Sequence, residues 1–226
     1  MERALGRAVA APDLPGHGRA EGWDGGSLLA QSVRAAEAAM DGPVHLVGHS
    51  FGAVTALALA MERPGDVVTL TLIEPVLFAA AAGRPGHAAA MERFAPMNAA
   101  LARGDREEAA RVFSRVWGTG WDDLPERQRA YIRDRIHLIP AAEPDLMGDG
   151  LGLLAPGRLE ALGMPVLLVQ GGETEPVSGE ILDALEARLG DVRRARVPGD
   201  HMAPVMHAGA VAEVLEGFWA GTAPRP

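Results

Sequence analysis

The sequence contains no cysteine, and every one of its 21 basic residues is an arginine, so it contains no lysine either. The first absence removes thiol nucleophiles, disulfides and cysteine-ligated metal sites. The second removes a Walker A lysine, a Schiff-base lysine and a serine–lysine dyad. Nucleophilic catalysis in this chain must therefore use serine, threonine, tyrosine, histidine or a carboxylate. Long apolar runs are also missing: Val67 to Ile73 is interrupted by Thr69 and Thr71 and falls far short of the ~20 residues needed to cross a bilayer. The stretch Met1 to Ala11 carries Glu2, Arg3 and Arg7 and no apolar segment of signal-peptide length, so a cytoplasmic location is expected. Positive charge is outweighed by 30 acidic residues, and a net charge of -9 argues against nucleic acid as a partner. A small-molecule substrate is expected, without a membrane partner, and the sequence carries no signature of an oligomeric state.

What is present can bury a core. The 226 residues are 48% hydrophobic and 23% charged, with a mean hydropathy of +0.05, which describes one globular domain with room for an insertion. Ala8 to Ala11 reads as a strand opening into the turn-rich Asp13 to Gly18, and Ser27 to Met40 reads as an amphipathic helix. Val44 to Val47 is a strand, Ala53 to Met61 a buried helix, and Val67 to Ile73 a strand closed by Glu74-Pro75. From Val76 to Gly163 the composition turns to Ala, Arg and Glu, with helical periods at Ala88 to Arg103, Glu107 to Trp117 and Pro125 to His137. Pro165 to Gln170 returns to an apolar strand, followed by a helix over Val177 to Leu189, a strand over Val192 to Val197 and a helix over Ala208 to Trp219. Alternating strands and helices with continuous apolar strands predict an α/β fold: a mostly parallel sheet covered by helices on both faces.

Gly48-His49-Ser50-Phe51-Gly52 fits G-x-S-x-G between a strand and a helix. A sharp reversal there strains the serine backbone and projects its hydroxyl at the carboxyl end of the sheet, with small residues on both sides permitting close approach. The Phe51 N–H, at the start of the helix, would face a developing oxyanion. The competing reading of the same five residues is a tight turn with an incidental serine.

These features resemble the α/β-hydrolase fold, from about Ala8 to Trp219. Ala11 to Gly18 looks like the segment two strands before the nucleophile, Pro165 to Gln170 like the strand beyond the lid, and Val197 to Pro204 like the loop bearing the family's histidine. The resemblance implies hydrolysis without a cofactor or metal, a core of residues 1–75 and 164–226, and a helical cap over 76–163. It implies a nucleophile elbow at Ser50 and a catalytic triad in which His201 is the base. His201 follows a strand, lies in a turn and comes last in the order Ser, acid, His. His17 and His49 could line the site, His45 reads as a satisfied core residue, and His87, His137 and His207 as surface or cap residues.

The acid is open. Thr174 occupies the place where the family usually has Asp; the neighbouring Glu173 and Glu175 are candidates, as is Glu74 at the end of the preceding strand. Glu74 is preferred and Glu175 is the alternative. Phe94, Met97, Phe113 and Trp117 form either an apolar pocket or the packing of the cap helices. The family's first strands, one of which leads to the second oxyanion donor, would precede Ala8. The expectation is therefore an N-terminally truncated reading of a longer protein, with a gap beside Val44 to Val47. The expected activity is that of a serine esterase. A C–C bond hydrolase, a cofactor-free peroxidase or an inactive hydrolase-like binding module are the alternatives.

Overall fold

The computed structural model describes residues 2–6, 8–117 and 120–222. Met1 and Arg7 of the opening stretch, and Gly118 and Thr119 of the expected cap, lie outside the described residues. A single helical turn, α1 (Glu2–Leu5), precedes α2 (Leu28–Glu37), whose N-cap Ser27 accepts the Ala30 N–H. There follow β1 (Val44–His49), α3 (Phe51–Glu62) and β2 (Val67–Ile73). Four helices come next: α4 (Pro85–Ala102), α5 (Arg106–Val116), α6 (Glu126–Arg135) and α7 (Leu138–Leu146). The chain closes with β3 (Val166–Gly171), α8 (Pro176–Glu186), β4 (Val192–Val197), the short α9 (Ala203–Met206) and α10 (Ala208–Ala220).

The strands form one parallel sheet in the order β1-β2-β3-β4. All four therefore end on the same side, and loops leaving those ends converge. The central strands β2 and β3 are buried on both faces apart from Val68 near the start of β2; Thr69 and Thr71 are buried with the apolar residues around them. One face packs on α3, in which Ala53 to Ala60 are all buried, while Val211, Leu215 and Phe218 of α10 cover the other with Ile73, Leu167 and Val169. The larger core continues into the helices between β2 and β3 through Phe94, Met97, Ile136 and Leu138. Among the described residues, no helix is long and apolar enough to cross a membrane.

Two local expectations fail, and one helix has no counterpart in the sequence reading. Ala8 to Ala11 is exposed coil and not a strand. A strand exists only as one side of a ladder, and nothing pairs there: β1 is the edge of the sheet, with no strand on its outer side among the described residues. His45 is likewise exposed on this edge, bonded through Nδ1 to Thr69 Oγ1 at 2.9 Å, and is not a core residue. Finally, α7 is an additional helix despite Pro140 and Pro144. Pro140 falls in the first turn, where no intrahelical N–H is needed.

Candidate active site

β1 ends at His49 and α3 begins at Phe51, so the chain reverses at one residue, Ser50, whose φ of 56° and ψ of -124° lie outside the usual regions for an L-residue. Such strain costs about 1–3 kcal/mol and persists only where the surroundings enforce it. Here the Ser50 N–H donates to the Ile73 carbonyl at the end of β2 (2.9 Å), and the Ser50 carbonyl accepts the Ala53 N–H (3.0 Å). A Cβ on Gly48 would stand 2.2 Å from the Gly52 oxygen and 2.5 Å from the Ala53 Cα, so that position requires glycine. Gly52 differs: a Cβ there would meet nothing within 4 Å, and the residue faces a cavity. The expected close approach thus applies on one side of the elbow only. Phe51 opens α3, so its N–H has no intrahelical acceptor.

His201 lies in the turn between β4 and α9 and is buried. The end of β3 holds this turn: Gly172 N–H donates to Val197 O (2.8 Å) and Glu173 N–H to Gly199 O (2.9 Å). A Cβ on Gly171 would come within 2.6 Å of the Asp200 oxygen, so the contact is close. The loop reaches far enough to place His201 Nε2 2.9 Å from Ser50 Oγ. With the Ser50 hydroxyl donating to Nε2, the imidazole proton is on Nδ1. Nδ1 faces Glu74 Oε2 at 3.4 Å.

Glu74 follows β2 with a φ of 48° and is fully buried. Its N–H donates to Val169 O (3.0 Å), continuing the β2–β3 ladder. Its carboxylate accepts the Gly171 N–H on Oε1 (2.8 Å) and the Thr174 hydroxyl on Oε2 (2.7 Å). Burial opposes the charge of Glu74, but hydrogen bonds from His201, Thr174, Ser178 and Gly171 outweigh it and hold its pKa below the usual 4.5. The other acid candidates are elsewhere. Glu175 stands just before α8, where its side chain makes no capping bond and pairs with Arg93, and Glu173 is exposed. Thr174, where the family usually has an acid, instead donates to the Glu74 carboxylate at the end of the neighbouring strand. No local pattern in the sequence signals that bond.

His49 also lines the cavity, and its Nε2 lies 2.7 Å from the His201 carbonyl oxygen. Burial first, then the proximity of His201, pushes its pKa down to about 4. On another side, Trp117 packs against the His201 ring, with centroids 4.1 Å apart and the planes tilted by 35°. Trp117 was expected only as an apolar pocket or packing residue; a large aromatic at the end of α5 gave no sign of this contact.

The cavity in front of Ser50 has a volume of about 610 Å³. Phe94, Met97, Phe113 and Trp117 all line it, and Phe94 and Met97 also pack within the core, so both readings of these residues hold. His17 lines it from the loop before α2. Among the described residues, no cluster of three or more His, Asp or Glu side chains is placed to hold a metal ion. The arrangement offers a hydroxyl bonded to an imidazole, a carboxylate behind the imidazole, a free N–H beside the hydroxyl and an apolar chamber.

Comparison with known proteins is consistent in sequence and in shape. A family model described as the alpha/beta hydrolase family matches residues 1–214. Lipase LipV of Mycobacterium tuberculosis is 30% identical over 222 residues, covering 92% of this chain and 81% of the lipase. Among solved structures, a thermophilic esterase superposes with a TM-score of 0.66 at 21% identity, over 93% of this chain and 80% of the esterase. The protein DBJA superposes with a TM-score of 0.68 at 23% identity, over 98% of this chain and 86% of its own. These two likenesses bear on the fold alone.

Proposed function

Given that the chain belongs to the alpha/beta hydrolase family, we propose that it hydrolyses small-molecule esters with an apolar acyl or alcohol part through Ser50, His201 and Glu74. The observation that carries the proposal is the 2.9 Å contact of Ser50 Oγ with His201 Nε2, backed by the buried carboxylate of Glu74. Ser50 Oγ attacks the carbonyl carbon while its proton passes to His201 Nε2. The oxyanion that forms is met by the Phe51 N–H and the N-terminal end of α3. Collapse breaks the ester C–O bond, and the alkoxide leaves with the proton from Nε2. Water then attacks the acyl-enzyme, giving its proton to Nε2; the carboxylic acid departs and Ser50 regains its hydrogen. Throughout, Glu74 holds the Nδ1 proton and offsets the charge of the imidazolium.

The chamber of about 610 Å³ suits a ligand of moderate size. In this reading residues 76–163 act as a cap whose side chains Phe94, Met97, Phe113 and Trp117 grip the apolar part of the ester, above a core of 1–75 and 164–226. The lipase relative is in keeping with an ester substrate. The test is labelling with a fluorophosphonate together with turnover of p-nitrophenyl esters of increasing chain length. Rapid labelling at Ser50, lost in Ser50→Ala, is expected. Folded protein that neither labels nor turns over any ester would overturn the proposal in favour of an inactive binding module.

A further inference from the structure

We propose that His49 is a positioning residue: by donating its Nε2 hydrogen to the main-chain carbonyl of His201, it fixes the distance between base and nucleophile. The inference rests on the roles proposed for Ser50 and His201. A carbonyl oxygen only accepts, so a contact of 2.7 Å between His49 Nε2 and the His201 oxygen requires the hydrogen to be on Nε2. Nδ1 of His49 is then bare, the tautomer opposite to that of His201.

Besides the contact of Ser50 Oγ with His201 Nε2, the bond joins the nucleophile strand to the main chain of the base. His49 is the last residue of β1 and the neighbour of Ser50; the acceptor belongs to the residue that carries the base, 152 positions away. The ties from β3 hold the same turn earlier, at Val197 and Gly199, leaving His201 itself two residues beyond the nearest of them. Without the His49 bond, the turn could pivot about Gly199, whose φ of 88° already places it at a bend. With it, the nucleophile strand and the base move as one body, and the contact between Ser50 Oγ and His201 Nε2 is kept at 2.9 Å. A displacement of about 1 Å at a reacting centre can cost on the order of 100-fold in rate, so such a tie matters for turnover more than for folding.

The chemistry of His49 fits this task. The two rings lie with centroids 4.9 Å apart. Burial keeps His49 neutral at ordinary pH, so it can donate a hydrogen bond without setting a positive charge against the imidazolium that forms on His201. A lysine or arginine donor at the same place would hold the loop and oppose the reaction.

The experiment compares His49→Gln with His49→Met in the full chain. The two side chains are nearly alike in length and volume, and only glutamine retains an N–H at the far end. Turnover of p-nitrophenyl butyrate and the rate of fluorophosphonate labelling are measured for both beside the wild type. His49→Met is expected to lower kcat and the labelling rate by about 10- to 100-fold, with KM changed by no more than about twofold, and His49→Gln to recover most of that loss. If His49→Met does not fold, His49→Leu provides the donor-free side chain. A donor-free variant with wild-type kcat would overturn the role of His49, as would a glutamine variant as impaired as the donor-free one. Wild-type protein that fails to label would instead overturn the hydrolase reading itself, so the two failures are separable.

Discussion

Two carboxylates compete for one role in the sequence, and their surroundings separate them. Glu74 is sealed from solvent and receives hydrogen bonds from Gly171 and Thr174, while Glu175 is partly exposed and bound to Arg93. Glu74→Gln keeps the shape but places an amide where Nδ1 of His201 needs an acceptor. It is expected to lower kcat on the order of 10⁴-fold, as seen when a triad acid is neutralised. Glu175→Gln removes only a surface ion pair, worth about 0–1 kcal/mol, and should leave kcat within about twofold. Steady-state kinetics on an ester settle this, and equal losses in both variants would contradict the assignment. Ser50 and His201 stand out in the sequence because each sits in a short local pattern. Glu74, the acid proposed, does not, because its place beside His201 depends on β2 and β3 lying side by side, which brings Glu74 N–H to Val169 O and Gly171 N–H to Glu74 Oε1. The contact of His49 with the His201 carbonyl leaves no trace in the sequence either, since one partner is backbone.

At the scale of elements, apolar runs made β2 and β3 legible, while the edge strands β1 and β4, which carry histidines and three arginines, were read from shorter stretches between turn residues; the helices α3, α8 and α10 followed from alanine- and leucine-rich segments. Ala8 to Ala11 misleads because a strand needs a partner, and α7 is hidden because two prolines mimic a stop. The elbow between β1 and α3 yields a sharp contrast. Gly48→Ala would drive a Cβ into the Gly52 backbone and is expected to cost about 1–3 kcal/mol or more, with the oxyanion side of the elbow displaced. Gly52→Ala meets open space and, inside the first turn of α3, should fold with at least wild-type stability. Thermal melts of the two variants check this, and matching melting temperatures would refute it. A second element-level tie joins α4 to α8. Glu180 of α8 accepts the N–H groups of Gly86 and His87 in the first turn of α4, at 2.7 and 2.8 Å. Glu180→Ala leaves both donors without their acceptor, and a loss of about 1–2 kcal/mol is expected. Faster proteolysis within α4 than in the wild type would show that the loss is local; unchanged cleavage and stability would show that the tie is idle.

Across the whole molecule, the proposed nucleophile Ser50, base His201 and acid Glu74 leave from the ends of β1, β4 and β2, and a parallel sheet delivers all three to one side. Gathering them there makes the fold less stable in acid. His49 has a folded pKa of about 4 against 6.5 for the free side chain. Between those values the unfolded chain takes up a proton that the folded chain refuses, so stability falls as the pH drops from 6.5 towards 4. The full effect is at most about 3 kcal/mol. Glu74 acts lower: its folded pKa lies below 4.5, so its stabilising charge is present above that value and is lost as the pH falls through the folded one. Both groups destabilise the protein in the same direction, in successive windows. Melting temperatures measured from about pH 7 down to about pH 4 should therefore decline steadily in the wild type. In His49→Gln, which keeps a donor but cannot be protonated there, the decline above 4.5 should flatten while the drop below it persists. An unaltered slope in that variant would mean that acid instability originates outside the active site.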